Sequence, residues 1–166
     1  DTLEDGDQPF RINLAPSISA NPDYDGIDPS DIEGLNFDND KAGLHVTNIS
    51  NDTSESGDSA QFSVRLSSAP SGDVTLPLRS TNTAEGDVDK TNLVFTPSNW
   101  RTPQWVSVQG IDDAKQDGDQ VYSIELQATS SSDLKYSGIN PPDIFLKNLD
   151  NDSHGFIVST LSGDTT

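Results

Sequence analysis

Apolar side chains recur at every second position in this chain, in short runs closed by Gly, Pro, Asn or Asp. Phe10, Ile12 and Leu14 alternate with polar neighbours, as do Phe62, Val64 and Leu66, then Val74, Leu76 and Leu78, and later Tyr122, Ile124 and Leu126. Such alternation puts one face of an extended segment in a core, so each run predicts a half-buried β-strand. No stretch carries an i, i+3, i+4, i+7 apolar stripe, and breakers recur too often for long helices. In chain order the predicted strands are A (Leu44, Val46, Thr47), B (Phe62, Val64, Leu66), C (Val74, Leu76, Leu78), D (Leu93, Phe95), E (Val106, Val108), F (Tyr122, Ile124, Leu126) and G (Ile144, Leu146). Seven short strands with turn signals between them predict an all-β, seven-stranded antiparallel sandwich. Pro77 has no N–H to give a ladder, which predicts that C is an edge strand or that the ladder bulges there.

The pattern is also repeated. Asp5-Gly6-Asp7-Gln8 returns as Asp117-Gly118-Asp119-Gln120, and Asp38-Asn39-Asp40 returns as Asp150-Asn151-Asp152, at a constant offset of 112 residues with no insertion. The match runs on through Gly43/Gly155, Val46/Val158, Ser50/Ser162, Asp52/Asp164 and Thr53/Thr165. A tandem repeat is predicted, with residues 1–40 the back portion of one unit, 41–152 a complete one and 153–166 the first strand of a third. A unit of this length can bury its own core, so the expected form is a beaded array and not a solenoid. The flanking pieces lack the middle of a unit. Either the chain is cut from a longer array, or protomers complete one another by strand addition into a filament.

Charge narrows the function. With 9 Lys+Arg against 28 Asp+Glu the net charge is −19, which argues against nucleic acid and anionic membranes as partners and for cations. There is no cysteine, so disulfides and thiolate metal sites are excluded and any stapling must use oxygen ligands. That composition suits an exported protein, extracellular or at the cell surface. No apolar run reaches the roughly 18 residues of a spanning helix, so no membrane insertion is expected.

If strands A to G run alternately up and down, the A–B, C–D and E–F loops share one end with the exit of G. That end collects Asp52, Glu55 and Asp58, then Glu85, Asp87 and Asp89, then Asp112, Asp113, Asp117 and Asp119, and finally Asp150 and Asp152. The opposite loops offer only Asp73, Asp133 and Asp143, balanced by Arg101 and Lys135. Carboxylates gathered this closely repel unless a cation sits among them. Ca²⁺ takes six to eight oxygens in flexible geometry and suits a many-ligand rim better than Mg²⁺. A solvated rim of ordinary turn aspartates is the alternative, and Glu55, Glu85, Asp87 and Asp89 stay open between the two.

The run Glu55-Ser56-Gly57-Asp58, the strand Phe62-Ser63-Val64-Arg65-Leu66, the segments Phe95-Thr96-Pro97-Ser98-Asn99-Trp100 and Pro103-Gln104-Trp105-Val106-Ser107-Val108, then Gly110-Ile111-Asp112-Asp113, Asp117-Gly118-Asp119 and the Asp-Asn-Asp close together resemble the Calx-beta repeats of large bacterial surface proteins. The resemblance spans 41–152 and both flanking pieces. It implies an immunoglobulin-like sandwich that binds calcium through an A–B loop acid, E–F loop acids and the cluster after the last strand. Carried over by motif, it implicates Glu55, Asp112, Asp113, Asp117, Asp119, Asp150 and Asp152, with Asp1, Asp5, Asp7, Asp38 and Asp40 as the equivalents in the preceding unit. Asn151 interrupts the consecutive aspartates that close the sodium–calcium exchanger members, and the E–F acids are spaced differently. The function implied is a calcium-stabilised spacer or structural segment of an adhesin, sheath or filament, with neighbouring repeats or identical subunits as partners.

Catalysis finds little support. His45 and His154 have no Cys or Ser partner in pattern, no nucleophile-elbow, zincin or P-loop motif occurs, and a crowded acidic rim offers no apolar cleft to keep a carboxyl protonated. Trp100 follows Asn99 in a turn and is expected to anchor it. Trp105, by alternation with Val106 and Val108, points outward, as an interface anchor, a sugar platform or a ring covered by a loop. Phe145 and Leu149 are also out of phase with the core and favour contact with a neighbour. A carbohydrate-binding module using Trp105 and Tyr136 as platforms is therefore the alternative function, with a glycan as partner.

Overall fold

The structure, a computed structural model, describes residues 1–47, 50–156 and 158. A hairpin of β1 (Gln8–Ile12) and β2 (Ile32–Asn36) comes first. The remaining strands are β3 (Leu44–Val46), β4 (Thr53–Ser54), β5 (Ser59–Leu66), β6 (Val74–Ser80), β7 (Gly86–Val88), β8 (Asn92–Phe95), β9 (Gln104–Gly110), β10 (Gln120–Leu126), β11 (Ser130–Ser131) and β12 (Ile144–Leu149). No helix occurs among the described residues. The protein is all-β, and residues 44–149 form a sandwich-like pair of sheets.

One sheet has the order β3-β5-β9-β7. The other runs β8-β6-β10-β12-β4, with β11 continuing along the β10 side of β6. Predicted strands A to G coincide with β3, β5, β6, β8, β9, β10 and β12. Three more exist that alternation could not reveal, because β4, β7 and β11 are only two or three residues long. The sandwich is not wholly antiparallel either: β4 pairs parallel to β12, since the chain leaves β3 in one sheet and returns along the outer edge of the other. A run that changes sheets in so few residues shows no period.

The inward faces close a single core in which Phe62, Val64, Leu66, Leu76, Phe95, Val106, Val108 and Ile124 are fully buried. Each such side chain contributes roughly 1.5–3 kcal/mol on leaving water. Trp100 packs against the edge of this core, and its carbonyl accepts the Leu66 N–H at 2.9 Å. Pro77 lies in β6, an interior strand between β8 and β10, so the expected edge position is corrected. From Leu126↔Leu78 to Ser130↔Thr75 the partner advances four residues while β6 advances three. That bulge lies opposite Pro77, where no donor is available, and the Pro77 carbonyl still accepts the Gln127 N–H at 2.9 Å.

The N-terminal hairpin repeats β10 and β12 in detail. Gln8↔Asn36 through Ile12↔Ile32 and Gln120↔Asn148 through Ile124↔Ile144 are the same register displaced by 112 on both strands. The side-chain bonds repeat too: Leu14 and Leu126 each donate an amide to Asp31 and Asp143, at 2.9 and 3.0 Å. Residues 1–4 then dock on the far end of the sandwich. Leu3 bridges to Ala69, the Thr2 carbonyl accepts the Ala69 N–H at 2.7 Å, and Glu4 accepts the Ala42 N–H at 2.5 Å. Glu4 and Ala42 correspond at the same offset to Gln116 and His154, where the Gln116 side chain accepts the His154 N–H at 2.9 Å. Most of the expected opening strand at 153–166 lies outside the described residues.

Candidate metal centre

Three loops and the exit of β12 meet at one pole. The residues just after β4 turn Glu55 inward, where its N–H donates to the Leu149 carbonyl at 3.1 Å and only 7% of its surface is exposed. The turn before β7 buries Glu85 to a similar degree. The segment between β9 and β10 carries Asp112, Asp113, Asp117 and Asp119, and Asp150 and Asp152 follow β12.

Two sets of carboxylates result. Glu55, Asp150 and Asp152 each bring an oxygen within 4.8 Å of the others, and so do Glu85, Asp113 and Asp117. Both can hold a metal ion. Asn148, buried between them, donates to the Ile111 carbonyl at 2.8 Å and to Glu85 at 3.4 Å. The amide of Gly118 donates to Asp150 Oδ2 at 2.7 Å, which ties the β9–β10 loop to the β12 exit. Gly118 has φ of +77°, a left-handed conformation that a side chain disfavours.

Electrostatics separate the sets. Asp152 Oδ2 is buried with no hydrogen-bond partner among the described residues. Burial, then the charges of Asp150, Asp112, Asp113 and Asp117, push the Asp152 carboxyl above its ordinary value. Glu55 accepts the Asn151 N–H at 3.0 Å, which favours its carboxylate, yet burial and the charges of Asp150, Asp152 and Asp113 push it upward on balance. No ion pair among the described residues reaches Glu55, Asp150 or Asp152. In the second set Lys115 supplies a cation: its ammonium bonds Asp113 at 2.7 Å and holds that carboxyl below its ordinary value. A buried carboxylate oxygen without donor or counter-charge fits a cation ligand. The first set therefore meets that description better than the second.

Of the acids implicated by motif, Glu55, Asp113, Asp117, Asp150 and Asp152 enter these sets. Asp112 lies close enough to act on the Asp152 carboxyl, and Asp119 accepts the Asp150 N–H at 3.3 Å, but neither belongs to a three-ligand set. Glu85 enters, although motif transfer did not single it out; its burial depends on the C–D turn, which sequence shows only as polar. Asp87, Asp89 and Asp52 instead accept the Val88, Ser107 and Lys147 amides, and Asp58 accepts the Ser54 hydroxyl.

Around the N-terminal hairpin, Asp1, Asp5, Asp38 and Asp40 line one small polar pocket. Asp38 accepts the Asp40 and Gly6 amides at 2.8 and 2.7 Å, which holds its carboxyl below the ordinary value, and Asp7 accepts the Asp38 amide at 2.9 Å. Asp1 caps Leu3 at 2.9 Å. No three-ligand set forms there among the described residues.

His45 is exposed on β3 and His154 is exposed beyond β12. Trp105 is 58% exposed and Phe145 71%. Tyr136 is buried instead, with its hydroxyl donating to the Ser68 carbonyl at 2.7 Å and accepting the Ser68 N–H at 3.0 Å. Its place as a sugar platform is corrected: the ring anchors the turn after β11. No helix among the described residues is long and apolar enough to cross a membrane. No family model matches the chain, and no curated protein matches it in sequence.

Proposed function

We propose that the chain is a calcium-stabilised structural segment of a bacterial adhesin, sheath or filament, extracellular or on the cell surface. It is built from tandem immunoglobulin-like sandwiches of the Calx-beta kind and is not an enzyme. One observation carries the reading: the partnerless, buried Oδ2 of Asp152 beside Glu55 and Asp150, with Glu55 and Asp152 both pushed toward protonation. Calcium among these oxygens replaces mutual repulsion by attraction and supplies the partner that Asp152 lacks.

The location makes such an ion mechanical. Asp152 is followed at once by the segment that leads away from the sandwich, and Gln116 of the β9–β10 loop holds that segment at His154. Neutralising Asp117, Asp150 and Asp152 orders the loops and stiffens the exit. At the other junction the acidic loop of residues 1–5 already lies against Ala42 and Ala69 of the next sandwich. Asp1, Asp5, Asp7, Asp38 and Asp40 complete an equivalent site when the rest of their unit is present. Identical or neighbouring repeats are the partners of this arrangement.

Thermal melting tests the reading. Calcium raises the melting temperature at lower concentration than magnesium, and a chelator returns it. Melting unchanged by either reagent defeats it.

A further inference from the structure

The hairpin β1–β2 shows its core face to water. Phe10, Ile12 and Ile32 are 50%, 49% and 52% exposed, while their counterparts Tyr122, Ile124 and Ile144 are 3%, 0% and 8% exposed. Tyr24 and Ile27 are likewise exposed, at 63% and 52%, where Tyr136 is buried at 1% and Ile139 packs on the core. Backbone conformation does not cause this contrast, because register, side-chain bonds and the left-handed glycines Gly26 and Gly138 are alike. What differs is the cover. β10 pairs with β6 along Ile124–Leu126 and shares its core with β5 and β9. Among the described residues β1 pairs with β2 alone.

We propose that this hairpin is a docking face for a half-sandwich with the strand pattern of residues 41–112, namely the front portion of another unit of the same repeat. The occupant follows from the molecule's own second copy of the interface: the strands that cover Tyr122, Ile124 and Ile144 show what covers Phe10, Ile12 and Ile32. The open edge is compatible. Pro9 brings no donor, but its counterpart Val121 precedes the stretch that pairs with β6, so no ladder bond is lost. Gly34 stands where the later hairpin has Leu146, and the Phe10 ring lies over it in the space where a Cβ would stand. A second copy of this chain is not the occupant, because its residues 44–110 are already closed against its own β10 and β12. The hairpin takes a half-unit by strand addition and core sharing, as in other sheet-augmentation contacts.

This inference rests on the repeat organisation of the proposed function but not on calcium. The test grafts a second copy of residues 41–112 ahead of Asp1 in the full chain, which preserves the 112-residue period. Amide exchange in β1 and β2 is then expected to slow on the order of 100-fold, toward that of β10 and β12, as edge amides join a global unfolding unit. The denaturant m-value rises to roughly twice that of the parent as a second core forms. A control carrying Phe10→Ser, Ile12→Ser and Ile32→Ser in the grafted chain loses both changes, while β10 and β12 stay protected. Unchanged exchange in β1 and β2 with an unstructured graft overturns the proposal. So does protection of β1 and β2 in the parent chain that grows with protein concentration, which makes a second copy the occupant. Run with calcium and with chelator, the experiment separates the two readings: protection of the hairpin without any calcium response keeps this inference and removes the metal.

Discussion

Gly118 donates its amide to Oδ2 of Asp150 at 2.7 Å, and so joins the loop before β10 to the residue that leaves β12. The bond needs a φ of +77°, and nothing lies within 4 Å of where a Cβ would stand, so the constraint is conformational and not steric. Gly118→Ala is expected to lower stability by about 1–2 kcal/mol, the cost of a left-handed backbone for an L-residue. A lower urea midpoint with unchanged m-value checks it.

Asp152→Asn keeps the shape of the side chain and removes its charge. Because burial and four neighbouring aspartates disfavour that charge, the metal-free variant should melt above the parent. Calcium should then raise its melting temperature far less than it raises the parent's. Calorimetric melting of both proteins with calcium and with chelator gives the comparison.

The two kinds of carboxyl respond to pH in opposite directions. Glu55 and Asp152 have raised carboxyls in the folded state, so in metal-free protein they favour folding below about pH 4, the unfolded carboxylate range, and that contribution is lost as pH rises through their raised values. Asp113 is held down by Lys115 and Asp38 by the Asp40 and Gly6 amides, so their contribution is present above about pH 4 and is lost as pH falls through the depressed values. With chelator, stability should therefore rise as pH falls through the raised values and then fall as pH passes through the depressed ones. Calcium should reverse the upper limb, because protons compete with the ion for Glu55 and Asp152.

Lys115 acts as a tethered counter-ion for the second carboxylate set, bonded to Asp113 and near Asp117 and Glu85. Lys115→Gln should lower the melting temperature with chelator present and enlarge the rise on adding calcium. A calcium-induced rise equal to the parent's would show that the ammonium and the ion do not share this set.

Tyr136 and Trp105 should respond in opposite ways. Tyr136→Phe removes a buried hydroxyl that bonds Ser68, with an expected loss of about 1–3 kcal/mol. Trp105→Ala, on an exposed site of β9, should stay within about 0.5 kcal/mol of the parent. Equilibrium denaturation of both variants is the measurement.

The positions of the main strands were legible because alternation reports directly which side chains share a buried face. Phe62, Val64 and Leu66 read as one face from their spacing alone, and they are buried together on β5. β4 was not legible, since two residues carry no period, and Pro77 left an edge strand or a bulge open, of which the ladder shows the bulge. The acidic pole was legible as loops assigned to one end. The split into two sets was not, because Asp113 meets Lys115 while Asp152, among the described residues, meets burial and like charge.

The sequence by itself determined the β character and the recurrence of its motifs at an offset of 112 residues, since both are written in local order and spacing. Only the tertiary structure decided that Glu55 meets Asp150 and Asp152, that Tyr136 is a core anchor, and that the hairpin's apolar face stands open. Those outcomes depend on which segments far apart in the chain come to lie side by side, and burial is a property of that juxtaposition, not of any residue alone.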